Sequence, residues 1–288
     1  MAPITVRDLQ RAIRARELDL VYQPEVDLRT GHIAAVEALV RWHHPVHGTV
    51  LPPLFVPLAE RAGQVAELSE IVLDTALAQA AEWSRSRWDG APLPIWLNLS
   101  ACELAAADLH HRILTALDEH DVAPTQLGLE ITETAPIADT ALAAVTLHAL
   151  HDEGIRVAID DFGTGYSSLS HLKELPVDVV KIDRSFVAGI AHEGADASIV
   201  ASITDLAHAL RRTVIAEGVE DSIQQRALAE LGCDLGQGYL FASPQPPRCV
   251  EILLAADREL AAYPAPAASQ LKLPQQRRVT TDVAQPIS

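Results

Sequence analysis

Apolar positions along this chain switch repeatedly between helical spacing and short continuous runs, and the switches mark out its elements. The pattern predicts a short helix from Thr5 to Arg16, followed by a strand from Leu18 to Leu28 that carries Tyr22, Gln23 and Pro24. A second strand is predicted over His32 to Val40. Only Arg29, Thr30 and Gly31 join the two, whereas a crossover between parallel strands needs about a dozen residues, so they pair antiparallel as a hairpin. Folding back about Thr30 sets Gln23 close to Glu37. Beyond the hairpin, Leu54 to Arg87 predicts two helices, Ile95 to Leu99 a strand, Ala107 to Glu119 a helix and Leu127 to Ile131 a strand. A helix from Asp139 to Glu153 and strands from Ile155 to Asp160 and Asp178 to Ile182 follow. Helices from Ala195 to Arg211 and Asp221 to Leu231, with strands from Thr213 to Glu217 and Tyr239 to Ala242, close the series.

Eight strands, most of them separated by helices, predict an α/β protein: a (β/α)8 TIM-like barrel with an antiparallel first strand. Residues 5–262 hold no repeat of fixed period and no linker rich in Gly or Ser, so they form one barrel domain. Residues 263–288 read as a disordered tail, because their Pro, Ala, Gln and Thr content has no hydrophobic period. With 288 residues, 49% hydrophobic and 21% charged, the chain has material for a large core.

Six apolar runs stop on a side chain able to hold a metal ion or a phosphate: Glu37, Asn98, Glu130, the pair Asp160 and Asp161, Lys181 and Glu217. In a parallel barrel the carboxyl ends of the strands meet at one face, where active sites are built, so these residues share one pocket. Two like charges about 4 Å apart repel by about 4 kcal/mol at an effective dielectric of about 20, so five gathered acids demand protons or cations. Carboxylates with the amide oxygen of Asn98 are the hard-oxygen set that Mg²⁺ and Mn²⁺ select; zinc would bring His or Cys. Adjacent Asp160 and Asp161 suggest two ions, one carboxylate bridging, and such a pair favours phosphoester hydrolysis. Arg41, four residues past Glu37, is a candidate clamp for phosphate oxygen.

The net charge of −17 argues against a surface that holds a DNA or RNA polymer by neutralising phosphates. Cys102, Cys233 and Cys249 are widely spaced and form no CxxC pair, which indicates neither a disulfide framework nor a zinc knuckle. No run of about 18 uninterrupted apolar residues and no signal-like stretch occurs, so the expectation is a cytoplasmic protein with no membrane insertion. Ser100 and Glu103 fit a capping box after a strand and are left without a catalytic role. Trp83 and Trp88 read as core or edge packing, and His43, His44 and His47 lack the helical spacing of a zinc site. Val157-Ala158-Ile159 before Asp161-Phe162-Gly163 is similar to protein-kinase signatures, but Asp160 stands where a lysine is required. Gly163-Thr164-Gly165 opens no P-loop and reads as a mobile loop.

From about Leu9 to Leu254 the chain resembles the EAL-domain family of cyclic di-GMP phosphodiesterases, whose naming tripeptide is Glu37-Ala38-Leu39. The resemblance covers Tyr22-Gln23-Pro24, Arg41-Trp42, Asn98-Leu99-Ser100, Glu130-Ile131-Thr132-Glu133, Asp160 through Ser168, Lys181-Ile182-Asp183, Ala216 to Glu220 and Gln237-Gly238-Tyr239. It implies a barrel with an antiparallel first strand and hydrolysis of cyclic di-GMP to linear pGpG. Glu37, Asn98, Glu130 and Asp160 would hold a first Mg²⁺ or Mn²⁺, and Asp160 with Asp161 a second. Glu217 is implied as general base, Lys181 as the group that orients water or steadies the scissile phosphate, and Gln237 as support for this inner shell. Gln23 and Arg41 are implied as substrate contacts, and Glu133 as the residue that fixes the loop from Asp161 to Ser168. A homodimer is implied too. Arg211, Arg212 and Gln64 depart from the family pattern without touching the inner shell. Within these 288 residues no cyclase, receiver or membrane sensor is read. The alternatives are a catalytically silent cyclic di-GMP receptor or interaction module, or a different phosphodiester substrate in the same site.

Overall fold

The computed structural model describes residues 4–86, 92–132, 140–165, 172–190 and 194–262. The sheet starts with β1 (Leu18–Asp27) and β2 (Ile33–His44), and β3 (Gly48–Val50) pairs with the last residues of β2. It continues through β4 (Ile95–Asn98), β5 (Leu127–Thr132), β6 (Arg156–Phe162), β7 (Val179–Ile182), β8 (Thr213–Ala216) and β9 (Leu235–Gly236). Without β3, the other strands close on themselves in the order β1-β9-β8-β7-β6-β5-β4-β2 through the β1–β2 pairing, which makes an eight-stranded barrel. β1 runs antiparallel to both its neighbours and all other barrel pairs are parallel, as the three-residue link requires. In this register Gln23 stands opposite Glu37, as the sequence predicts.

Helices α1 (Val6–Ala15), α2 (Pro52–Ala62) and α3 (Val65–Ser86) cover the β1–β2 side. α4 (Leu109–His120), α5 (Thr140–Asp152), α6 (Arg184–Ala188), α7 (Ala195–Ala209), α8 (Ser222–Glu230) and α9 (Pro247–Ala262) follow in chain order. Thr5 starts α1 with a reciprocal capping box, its own N–H donating to Asp8 at 3.0 Å. Residues on the outer face of the strands, among them Leu97, Leu129, Val157, Val180 and Val214, form the main core with the helices. A second cluster buries Trp42 with Leu9, Phe55, Ala59 and Leu68, so α1 and α2 are anchored on the outside of β2.

Inside the barrel, side chains stack in layers, as the two-residue period of each strand dictates. The lower layer contains Ala35, Trp96, Ala158, Val179, Ile215 and Leu235. Trp96 fits because Gly128 faces it: a Cβ there would lie 2.1 Å from the indole ring. The Arg156 guanidinium covers the same indole at 4.9 Å from the ring centre.

Two expectations change. The segment Tyr239 to Ala242 is a run of turns, closed by Leu240 N–H to Val219 O (2.9 Å) and Phe241 N–H to Gly238 O (3.1 Å). The closing strand is instead β9, where Gly236 pairs with both Val26 and Ala216; apolar content at Tyr239-Leu240-Phe241 imitated a strand. The strand predicted to end at Val40 continues to His44, because Trp42, His43 and His44 pair with β3. The predicted tail lies outside the described residues, as do Glu133 and Trp88, while Trp83 is buried edge-on against Tyr22 at 4.9 Å.

Candidate active site

One step above the apolar layer, the strand ends project Gln23, Glu37, Asn98, Glu130, Asp160, Lys181 and Gln237 toward the carboxyl-end mouth, and Glu217 follows β8. Lys181 is their hub. Its ammonium lies 2.7 Å from Glu217, 2.8 Å from Glu130, 3.5 Å from Glu37 and 3.9 Å from Asp160, with no exposure to solvent. The amides of Asn98 and Gln237 each donate to a different Glu37 oxygen at 2.7 Å, which fixes that carboxylate from both sides.

Gln237 reaches Glu37 because the chain after β9 presses against the loop after β8. A Cβ on Gly238 would meet the Val219 carbonyl oxygen at 2.1 Å, so only glycine permits this approach. Gln23 is buried and donates to the Ala242 carbonyl at 3.1 Å, tying the same loop to β1. Trp42 is fully buried in the helix-facing cluster, and alternation along β2 turns Arg41 the other way. Arg41 lines a cavity of about 640 Å³ that also contacts Glu37, Asn98 and Asp160, and its guanidinium donates to the Val40 carbonyl at 2.9 Å.

Two consecutive residues of a regular strand face opposite ways, yet Asp160 and Asp161 both join the site. The β6–β7 register shifts between Ile159 and Phe162, and Asp161 takes a left-handed φ of 55°. This bulge redirects one side chain, and bulges are enriched beside active sites for that reason. Carboxylate oxygens of Asp160, Asp161 and Glu217 then lie within 4.8 Å of one another. Thr164 closes the following turn by donating through its hydroxyl to the Asp161 carbonyl at 2.8 Å, so the start of the expected mobile loop is a hydrogen-bonded turn.

The acids respond differently to their confinement. Burial alone raises a carboxyl, and it pushes Glu217 up to about 8 against the opposing charge of Lys181. Glu130 is also held well above the ordinary range, first by burial and then by the Glu37 charge. Glu37 goes the other way: burial is outweighed by Lys181 and by the Gln237 and Asn98 hydrogen bonds, so it ionises readily. Asp161 rises to about 6 through burial and the nearby Asp160 and Asp183 charges. Lys181 stays cationic because four acids together overcome its desolvation. The donor set is entirely oxygen, and Glu130 Oε1 is buried with no hydrogen-bond partner, so a hard divalent cation fits these residues.

Ser100 and Glu103 do not make the reciprocal box the sequence suggests. The Ser100 hydroxyl donates to Glu60 at 2.6 Å, while Glu103 accepts from Ser69 at 2.7 Å and Arg112 at 3.3 Å, because the segment forms a short 3-10 turn rather than a helix start. His44 accepts from the Val46 and His47 N–H groups through Nδ1, which makes it a turn cap. Sequence reasoning passed over Glu25, a fully buried acid on β1. The period-two rule placed it on the same face as Gln23, and that was the available signal.

A family model described as EAL domain matches residues 6–244, including every described residue of the ring. The chain belongs to the EAL domain family. It is 42% identical over 254 residues to the bifunctional diguanylate cyclase/cyclic di-GMP phosphodiesterase MucR of Pseudomonas aeruginosa, covering 87% of this chain and 36% of that protein. A second P. aeruginosa protein, named as a cyclic di-GMP phosphodiesterase, is 38% identical over 244 residues, covering 84% of this chain and 41% of its own length. This EAL chain therefore spans well under half the length of these curated relatives. The solved structure of the MucR phosphodiesterase in complex with c-di-GMP superposes with a TM-score of 0.80 at 42% identity, covering 85% of this chain and 98% of that one. An EAL domain protein from Listeria monocytogenes gives 0.78 at 31% identity, covering 89% and 100%.

Proposed function

We propose that this EAL barrel hydrolyses cyclic di-GMP to linear pGpG with the help of two divalent cations, Mg²⁺ or Mn²⁺. The observation that carries the reading is the gathering of Glu37, Glu130, Asp160, Asp161 and Glu217 around one mouth, with Glu130 Oε1 left without a partner. Similarity to proteins named as cyclic di-GMP phosphodiesterases selects the substrate. Glu37, Asn98, Glu130 and Asp160 would hold one cation, and Asp160 with Asp161 the other. Bound cations supply an acidified water and neutralise charge on the phosphoryl oxygens.

The chain's own groups do the rest. Glu217, whose proton affinity is raised, takes the proton from the attacking water as general base. Lys181 offers a fixed positive charge at the reacting phosphate while holding Glu217 and Glu130 apart. Gln237 and Asn98 keep Glu37 in one orientation, as neighbours of metal ligands do. Arg41, at the wall of the cavity, clamps a non-reacting phosphate oxygen, and Gln23 is assigned with it as a substrate contact that also steadies the loop carrying Gln237. Glu133 is assigned to the loop after β6 from the resemblance alone.

The test is product analysis with purified protein and cyclic di-GMP, with Mn²⁺ or with a chelator. Linear pGpG formed only with the cation is expected. Tight binding of intact nucleotide with no product over hours would overturn hydrolysis in favour of a silent receptor. Faster cleavage of another dinucleotide would overturn the substrate assignment.

A further inference from the structure

Among the described residues, Glu25 is a fully buried carboxylate with no well-formed hydrogen bond at either oxygen beyond a weak contact from the Trp96 indole N–H, and hydrolysis as outlined gives it no task. It stands on β1 opposite Ala35, in the layer of Trp96, Ala158 and Val179, one step beneath the acidic ring. Charged or polar groups face it from several strands: Lys181 of β7, Glu37 of β2, Arg156 of β6, Trp96 of β4 and Glu130 of β5. Lys181 and Arg156 are the cations that act on it, and the Arg156 guanidinium is stacked on the Trp96 indole.

Lys181 brings three N–H donors into a dry interior, and the acceptors nearest to it are Glu217, Glu130 and Glu37. Those same carboxylates belong to the cluster assigned to the divalent cations. A carboxylate engaged by a dication is a weaker acceptor, and dications in the mouth repel the ammonium they adjoin. An ammonium with zero exposure has no water to turn to, so it needs an anion on its inner side. Glu25 offers a carboxylate without a well-formed hydrogen bond there.

We propose that Glu25 is a positioning residue for Lys181, receiving its ammonium when divalent cations engage the acids above and so keeping the lysine in place. This rests on the metal-dependent reading of the site. The test compares Mn²⁺ affinity by calorimetry, without nucleotide, in the parent chain, Glu25→Gln, Glu25→Asp and Arg156→Met, alongside thermal unfolding in chelator. Glu25→Gln is expected to weaken Mn²⁺ binding about tenfold or more, Glu25→Asp to recover part of it, and Arg156→Met to leave it within about twofold. In chelator, Glu25→Gln should unfold at the same temperature as the parent or higher, since an unpaired buried acid has gone. Unchanged Mn²⁺ affinity in Glu25→Gln overturns the assignment alone. So does a chelated Glu25→Gln protein that fails to fold or loses stability in parallel with affinity, because the acid would then serve packing. A parent chain that binds no Mn²⁺ overturns the hydrolytic reading and this assignment with it.

Discussion

Two layers of one barrel, two residues apart on the same strands, are built on opposite principles. On β4 the step is from Trp96 to Asn98, on β5 from Gly128 to Glu130, on β6 from Ala158 to Asp160 and on β7 from Val179 to Lys181. The lower layer is held by shape: the large indole is matched by a glycine and covered by a guanidinium. The upper layer is held by charge, with one buried ammonium among several acids. Packing gains from every added contact, whereas the ring carries more negative groups than its single cation offsets. Stability should therefore reside below and chemistry above, with the ring a cost to the fold that cations relieve.

Removing the proposed base gives the largest expected effect and the sharpest test of that division. Glu217→Gln should slow cyclic di-GMP hydrolysis about 10²- to 10⁴-fold while the unfolding temperature in chelator does not fall. Residual turnover within about tenfold of the parent would show that another group takes the proton. The converse test lies in the lower layer. Gly128→Ala would put a methyl 2.1 Å from Trp96, and forcing the indole aside should cost about 1–3 kcal/mol, read from chemical denaturation. In a Trp96→Leu background the same change should cost much less, because the clash partner is gone. An equal cost in both backgrounds would place the penalty in the backbone of β5 instead.

Much of this was legible in the sequence, and what was not has physical reasons. The antiparallel hairpin followed from a three-residue link, and the ring followed from polar residues at the ends of apolar runs, since both rest on strong local constraints. β9 escaped because two residues suffice to close a barrel, too few to show a period, while Tyr239-Leu240-Phe241 mimicked a strand without pairing. The bulge at Asp160-Asp161 leaves no mark in composition; only the requirement that both acids face one way hints at it. The apolar layer was hidden in part because nothing in the sequence pairs Gly128 with Trp96 across two strands.

The last effect runs through both layers at once: the dependence on pH. Glu217 near 8 and Asp161 near 6 in the upper layer, and Glu25 near 7 below, all hold protons more tightly when folded than their ordinary values of 4.5, 3.8 and 4.5. An acid with a raised folded value stabilises the fold fully below its unfolded value, and that contribution is lost as pH climbs to the folded one. Chelated protein should therefore lose thermal stability steadily from about pH 5 to pH 8. Cations bind only after those protons leave, so Mn²⁺ affinity should rise over the same interval, by up to about tenfold per pH unit for each proton released. The two curves must move oppositely, and the gap between melting temperatures with Mn²⁺ and with chelator should widen up to about pH 8. A chelated protein that gains stability between pH 5 and 8, or an Mn²⁺ affinity that stays flat, would mean that the ring acids are already ionised without cations. The charge-held layer would then be far less strained than the contrast with its packed neighbour implies.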